Sequence, residues 1–337
     1  IPCYQYGHLL RQCVSSVLNQ DLRDLRVLII DNASTDNSVE VAQEMARNDP
    51  RIELVVHAKN LGPHASYNEA VDWASSEYFS LVDADDLLHE GALSHATQLL
   101  DGNQDAVMMY GRASYITTNG ELHAGKQVHP DLDWEIVGGD EIIEEVCERP
   151  FNIIPSPTVV RRTSAQKKAG YYRTSLRYTD DMEMWLRIAR LGSVARTGRA
   201  QAVQRFHPTQ QTHRVLDSMV DDFVEREAAI LSFFKNEGRD MPKSEQLIKL
   251  AKRSLGYHAY WSAFSQLLKG HLDLAGLKSI FSFVWDRSPR ALLFPPILWA
   301  YKYKNQHRQF KFTPRQKQRM KVLTNSAEPA PFQKQLG

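Results

Sequence analysis

Glycine-rich phosphate loops are missing from this 337-residue chain: no Gly-x-Gly-x-x-Gly follows any early candidate strand. That excludes the dinucleotide fingerprint, in which glycines let a pyrophosphate approach the backbone. Cysteine is scarce. Cys3, Cys13 and Cys147 match no metal-ligand spacing and form no disulfide framework, which is compatible with a reducing compartment. No 18 consecutive apolar residues occur, so a conventional membrane-spanning helix is not expected. No secretory leader is visible. Ile1-Pro2-Cys3-Tyr4 reads as the end of a strand, so the sequence is expected to continue upstream of Ile1. Carboxylates are absent from residues 287–327, which carry ten Lys or Arg, whereas residues 1–286 hold 30 basic and 39 acidic side chains. The net charge of +1 therefore hides two electrostatic objects.

What is present is an alternation of short apolar runs and helical patterns, long enough for one large α/β domain with additions. Strands are expected at 25–30, 52–56 and 78–82, and helices at 9–18, 39–48 and 66–75. That order predicts a parallel sheet covered on both faces. Asp31 ends the second strand, where it can accept from a sugar hydroxyl or a base N–H. Tyr4 and Tyr6 fall in the loop after the first strand, to stack on a base or to pack the loop.

The chain is organised around Leu81-Val82-Asp83-Ala84-Asp85-Asp86. Carboxylates at the C-terminal end of a strand sit where α/β sheets bind ligands. They repel unless a cation or a donor network lies among them, and a hard divalent ion holding phosphate oxygens is the simplest occupant. The alternative is a turn whose aspartates cap a helix starting near Leu87.

Beyond this stretch, helices are expected at 91–100 and 140–147, strands at 106–110, 113–117 and 158–160, a turn at Asn119-Gly120, and an irregular polar segment over 125–139. Arg161 and Arg162 read as a solvated pair or as sugar-phosphate contacts. Asp180-Asp181 opens a helix with Met184, Trp185, Ile188 and Leu191 inward. There the pair acts as an N-cap or supplies a general base from a second direction. A strand over 203–206 ends at His207, either a surface histidine or a metal or phosphate contact. From Leu216 onward three apolar helical sets predict a packed bundle. Residues 291–303 are apolar, broken by Pro295 and Pro296, and run into the basic tract. The 291–321 stretch reads as a peripheral membrane contact or as a core-packed helix with a solvated tail. No nucleic-acid module is recognisable, so no nucleic-acid partner is expected.

Several ordered segments resemble family 2 glycosyltransferases of the GT-A fold. Ile1-Pro2-Cys3-Tyr4-Gln5-Tyr6 is similar to their I-P-x-Y-N opening, with Gln5 for Asn. Ile30-Asp31-Asn32-Ala33-Ser34-Thr35-Asp36 resembles the base-binding segment, and Asn60-Leu61-Gly62 with Asn68 the N-x-G…N segment. Asp83-Ala84-Asp85 matches D-x-D. Asp180-Asp181…Trp185-Leu186-Arg187 resembles E-D…W-L-R with Asp180 for Glu, and His207 stands where the family has a late histidine.

The resemblance covers residues 1–210 and implies a GT-A α/β fold with a mixed central sheet. It implies a nucleotide-sugar-binding subdomain (1–110) and an acceptor subdomain (111–212); a helical region (213–304) and a basic tail (305–337) follow. It further implies a nucleotide-diphosphate-sugar donor, UDP favoured, contacted by Pro2, Tyr4, Asp31, Asn60, Asp83, Ala84 and Asp85. Mn²⁺ or Mg²⁺ would sit on Asp85 and His207, and Asp181 would act as base on a glycan or lipid-linked acceptor. One displacement with a base and no separate nucleophile predicts inversion. The expected location is cytoplasmic, with 291–321 a candidate contact to the inner face of the membrane. The rival readings are a nucleotide-sugar-binding protein without catalysis and a metal-dependent nucleotidyltransferase. The latter normally wants a basic, Gly-rich loop after the first strand, which Tyr4-Gln5-Tyr6-Gly7 is not.

Overall fold

The computed structural model describes residues 1–117, 121–124, 132–207, 219–268 and 274–293. Three parallel strands come first: β1 (Pro2–Cys3), β2 (Val27–Asp31) and β3 (Ile52–Val56), side by side in that order. Every residue of β2 is buried, as a strand covered on both faces requires. The crossovers are α1 (Gly7–Leu18) and α2 (Ser38–Asn48), which pack on each other. After β3, α3 (Pro63–Trp73) starts behind Gly62, held at φ 82° where a side chain would be strained. Pro63 opens the helix, where its missing N–H costs nothing.

A second sheet then begins. Its elements in chain order are β4 (Tyr78–Phe79), β5 (Leu87–Leu88), α4 (Ala92–Asp101), β6 (Ala106–Ile116), β7 (Leu122–Ala124), β8 (Glu135–Val137), α5 (Gly139–Glu148), β9 (Val160–Arg162), α6 (Thr163–Ala169), α7 (Asp180–Ala189) and β10 (Ser193–Arg205). The strands run β4-β9-β6-β10-β5, with β7 on β6 and β8 on β10. Among the described residues of this sheet, only β6 and β10 pair in parallel. The sheet is therefore mixed, as the resemblance implied; the parallel sheet expected from the alternation holds for β1–β3, whereas the fourth expected strand, at 78–82, pairs antiparallel with β9 in this second sheet.

Local readings change for stated reasons. The run 78–82 is a strand only over Tyr78–Phe79, because its partner β9 gives way to a 3₁₀ turn at Ser156–Thr158. The N–H groups of Thr158 and Val159 donate to the Pro155 and Ser156 carbonyls (3.0 and 3.2 Å) in that turn, so the strand expected at 158–160 starts two residues later. Leu87 begins a strand pairing with β10, and no helix follows the aspartates directly. The strands expected at 106–110 and 113–117 are one. Gly111 lets β6 pass the irregular register of β10, since a Cβ there would fall 2.4 Å from Gln201 and 2.8 Å from the Arg199 carbonyl. The polar segment contains β8. The Asn119-Gly120 turn and residues 125–131 lie outside the described residues, as do 294–337 with the basic tract.

The C-terminal helices are α8 (Met219–Lys235), α9 (Ser244–Leu268), α10 (Leu274–Arg287) and α11 (Pro289–Leu293). Ile230, Phe233 and Phe234 of α8 join the main core beside Met182, Trp185 and Leu186 of α7. Phe223 instead packs with Leu255, Ile280, Phe283 and Val284 in a core of the helices' own.

The arginine pair is not solvated. Arg161 is fully buried, its guanidinium 4.5 Å from the Phe79 ring centroid and 5.1 Å from that of Trp185. Its Nη2 donates to the Tyr172 hydroxyl at 3.0 Å, and Nε and Nη1 have no hydrogen-bond partner. Arg162 bridges Glu77 and the carbonyls of Leu100 and Ala106. A planar cation between two rings is held by ring quadrupoles, which an ammonium on a thin stem matches less well. Arg161→Lys is expected to destabilise the fold by about 1–2 kcal/mol, read as a lower urea midpoint at unchanged slope; an unchanged midpoint would show that the rings do not hold the charge.

Candidate active site

The rim of the site is built by two loops that brace each other. Gln5 and Ala33 adopt left-handed backbone, φ 64° and 60°. Their loops are tied by five hydrogen bonds. Gln5 N donates to Ser34 Oγ (2.9 Å), Gln5 Nε2 to Thr35 Oγ1 (2.7 Å), Tyr6 N to Ser38 Oγ (3.1 Å) and Gly7 N to Asp36 Oδ2 (3.1 Å), while Asp36 N donates back to Gln5 Oε1 (3.1 Å). Gly7 is required by the close approach, since a Cβ would lie 2.2 Å from Asn37 Oδ1. Asn32 joins a third loop: its Nδ2 donates to Asn60 Oδ1 (3.1 Å) and the Gly62 carbonyl (3.0 Å), and its Oδ1 accepts from Leu61 N (2.9 Å).

Behind this rim lies a cavity of about 320 Å³. Seven of the nine residues singled out from the sequence line it: Pro2, Tyr4, Asn60, Asp83, Ala84, Asp85 and Asp181. The other two, Asp31 and His207, are not among its lining residues. Asp31 is wholly buried; its Oδ1 accepts from Ser34 N at 2.8 Å and its Oδ2 has no partner. His207 Nε2 lies 3.0 Å from Asp85 Oδ2, and its ring meets Tyr6 edge-on at 5.4 Å.

The aspartate turn is held by Ala84 N donating to the Pro2 carbonyl (3.3 Å) and Asp86 N to the Asp83 carbonyl (2.9 Å). Burial, then the charge of Asp85, pushes Asp83 up to about 7. Burial followed by Asp85 and Asp83 holds Asp86 well above the carboxylate range. Asp86 caps no helix, contrary to expectation: its Oδ1 accepts from Arg205 N at 3.1 Å, and Arg205 Nη1 donates to the Asp85 carbonyl at 2.8 Å. The end of β10 thus brings a guanidinium and an imidazole to the aspartates.

These residues fit a hard divalent ion. Asp85 Oδ2 and His207 Nε2 already converge, and crowded carboxylates with raised pKa values favour a cation. Among the described residues no three His, Cys, Asp or Glu side chains cluster for a metal. An ion on Asp85 and His207 would complete its shell with water and ligand oxygens, the usual arrangement for ions that bridge to phosphates.

The far wall comes from the 150–157 segment and α7. As expected, Asp180 and Asp181 open that helix, with Met184, Trp185 and Ile188 buried; Leu191 lies just past the helix and is half-buried. Neither aspartate is its N-cap, which is Thr179. Asp181 Oδ2 accepts from Asn152 Nδ2 (2.6 Å) and from Ser156 Oγ, and Oδ1 accepts from Met182 N (2.6 Å). Burial raises its pKa, and the Ser156, Met182 and Asn152 donors oppose that rise. Asp180 is driven well above its ordinary value by burial, then by Asp181. His64 lies 3.5 Å from Asp180, but burial lowers the imidazole and its Nε2–H donates to the Leu176 carbonyl at 3.0 Å. Both groups are thus driven toward neutrality, and the contact is one between neutral groups. Tyr67, Tyr172, Tyr178 and Trp185 complete this wall. Reasoning from sequence missed Asn152 and Ser156 as partners of Asp181; the only local signal is the pair of prolines around Ser156.

The family described as Glycosyl transferase family 2 matches residues 1–168, a segment that ends before Asp181 and His207. A Haemophilus influenzae protein described as an uncharacterized glycosyltransferase is 24% identical over 213 residues, 62% of this chain and 65% of its own length. The Campylobacter jejuni GalNAc(5)-diNAcBac-PP-undecaprenol beta-1,3-glucosyltransferase is 31% identical over 137 residues, 40% of this chain and 43% of its own. The chain thus spans less than two thirds of either relative. In fold it is similar to S. aureus TarS 1-349 in complex with UDP-GlcNAc, with a TM-score of 0.64 at 17% identity, covering 90% of this chain and 86% of that one.

A raised carboxylate stabilises the fold below its unfolded pKa, and that contribution is lost as pH rises through the folded value. Asp180 should therefore make the ligand-free protein less stable at pH 8 than at pH 4. Asp180→Asn is expected to raise the melting temperature at pH 8 and to change it little at pH 4; equal effects at both would sink the burial argument.

Proposed function

Because residues 1–168 of this chain belong to glycosyl transferase family 2, we propose that the protein transfers a sugar from a nucleotide-diphosphate donor to an acceptor hydroxyl with inversion. The observation that carries this is the meeting of Asp83, Asp85 and Asp181 in one cavity, the first two on a strand-end turn and the third in the first turn of a helix. Pro2, Tyr4, Asp31 and Asn60 serve the nucleotide side. Asp31 Oδ2, buried and unpaired, is the acceptor a base N–H would satisfy. Asp83 and Asp85, backed by His207 and Arg205, hold the diphosphate end. A bound Mg²⁺ or Mn²⁺ on Asp85 and His207 would supply positive charge against the departing diphosphate.

Asp181 takes the acceptor proton. The oxygen then bonds to the anomeric carbon as the carbon–oxygen bond to the diphosphate breaks, and the nucleoside diphosphate leaves with that electron pair. An α-linked donor gives a β-linkage. A UDP-sugar is favoured by the UDP-GlcNAc bound to TarS, and a lipid-linked glycan acceptor by the name of the Campylobacter relative. Asn152 and Ser156 fix the Asp181 carboxylate and keep its pKa from rising further.

Asp181→Asn should reduce transfer by roughly 10²–10⁴-fold while donor binding, followed by calorimetry with UDP-sugars and Mn²⁺, persists. Retained turnover would overturn the assignment, and donor binding without turnover in the unaltered protein would leave a binding protein. Activity should rise with pH as Asp181 loses its proton. Asn152→Ala removes a donor to the carboxylate, so the acidic limb of kcat/KM should move to higher pH; a limb that stays put would mean another group is the base.

A further inference from the structure

The outer surface of the C-terminal helices is apolar where a soluble helix would be polar. α10 buries Ile280, Phe283 and Val284, yet Phe281 and Trp285, one turn apart on its other side, are 40% and 58% exposed. α9 adds Phe264 and Leu267, also exposed. Between the helices runs a groove of about 230 Å³ lined by Tyr260, Phe264, Leu267, Leu277, Phe281 and Leu292. Single exposed apolar residues are ordinary; a contiguous set around a groove marks a binding surface.

Charge identifies the occupant. Lys278 and Arg290 are exposed on α10 and α11. The sequence from Arg287 to Ala327 carries ten Lys or Arg and no carboxylate, while the first 286 residues carry nine more acids than bases. An anionic surface would attract this end of the chain and repel the rest. Large apolar side chains joined to a dense basic stretch are what a bilayer of anionic lipid holds.

On another side, α9 meets the wall of the aspartate cavity: the His258 ring stands edge-on to Phe151 at 4.7 Å, and the adjoining Asn152 donates to Asp181. We propose that the face formed by α9 and α10 docks on an anionic bilayer, with Phe264, Leu267, Phe281 and Trp285 entering the interface. The docking does not depend on the transferase reading.

Flotation of the full chain with phosphatidylcholine vesicles, with and without phosphatidylglycerol, tests this without measuring transfer. The protein should float with the anionic vesicles, stay behind with the neutral ones, and lose binding in high salt. Leu267→Glu combined with Phe281→Glu should weaken binding by about tenfold or more. Trp285→Ser, at a position with little packing to lose, should weaken it in the same direction without lowering the melting temperature. Absence of flotation on anionic vesicles overturns the proposal. So does binding that neither variant weakens, which would assign it to the basic tract alone. A dimer that light scattering shows dissociating in the groove variant, without vesicle binding, would give the face to a second copy and equally overturn it.

Discussion

Repulsion among carboxylates packed into one poorly solvated cavity is the constraint that the surrounding structure answers. Asp83, Asp85, Asp86, Asp180 and Asp181 line the same space, and each ionisation makes the next harder. The fold offsets this locally. β10 ends by giving Arg205 and His207 to the Asp85–Asp86 side, and the 150–157 segment gives Asn152 and Ser156 to Asp181. Charge that remains uncompensated shows as the raised pKa values of Asp83, Asp86 and Asp180.

The site lies where the parallel sheet gives way to the mixed one. The Pro2 carbonyl of β1 accepts from Ala84 N, so the two sheets meet at the aspartate turn itself. This is the kind of discontinuity where open α/β folds leave room for ligands. One sheet supplies the rim loops after β1, β2 and β3, and the other half of the fold supplies the end of β10 and α7.

Much of this was legible because local chemistry and fold agree. β2 shows its burial as Val27-Leu28-Ile29-Ile30, and α7 shows its inward face as Met184, Trp185 and Ile188. The aspartate turn stands out because three acids follow an apolar run. The rest depends on distant partners. Nothing near Arg161 announces that Phe79 and Trp185 will enclose it, and charge alone pointed outward. Gly111 looked like a break, although it is what lets β6 continue past Gln201 and Arg199. Leu87-Leu88 became a strand because β10, more than a hundred residues away, pairs with it. Asn152 reaches Asp181 across 29 residues, a distance no local pattern carries.

The position of β10 has a further consequence. Its backbone is paired along its length, on β6, β8 and β5, and its last residues hold Asp85 and Asp86. Opening that side of the cavity means breaking the middle of a seven-stranded sheet, so its fluctuations belong with global unfolding. The Asp181 side is built differently: the carboxylate stands on α7, and two of its donors, Asn152 and Ser156, come from the 150–157 segment, which belongs to no strand. One half of the cavity is thus tied to strand pairing, and the other to a helix and a segment outside the sheets.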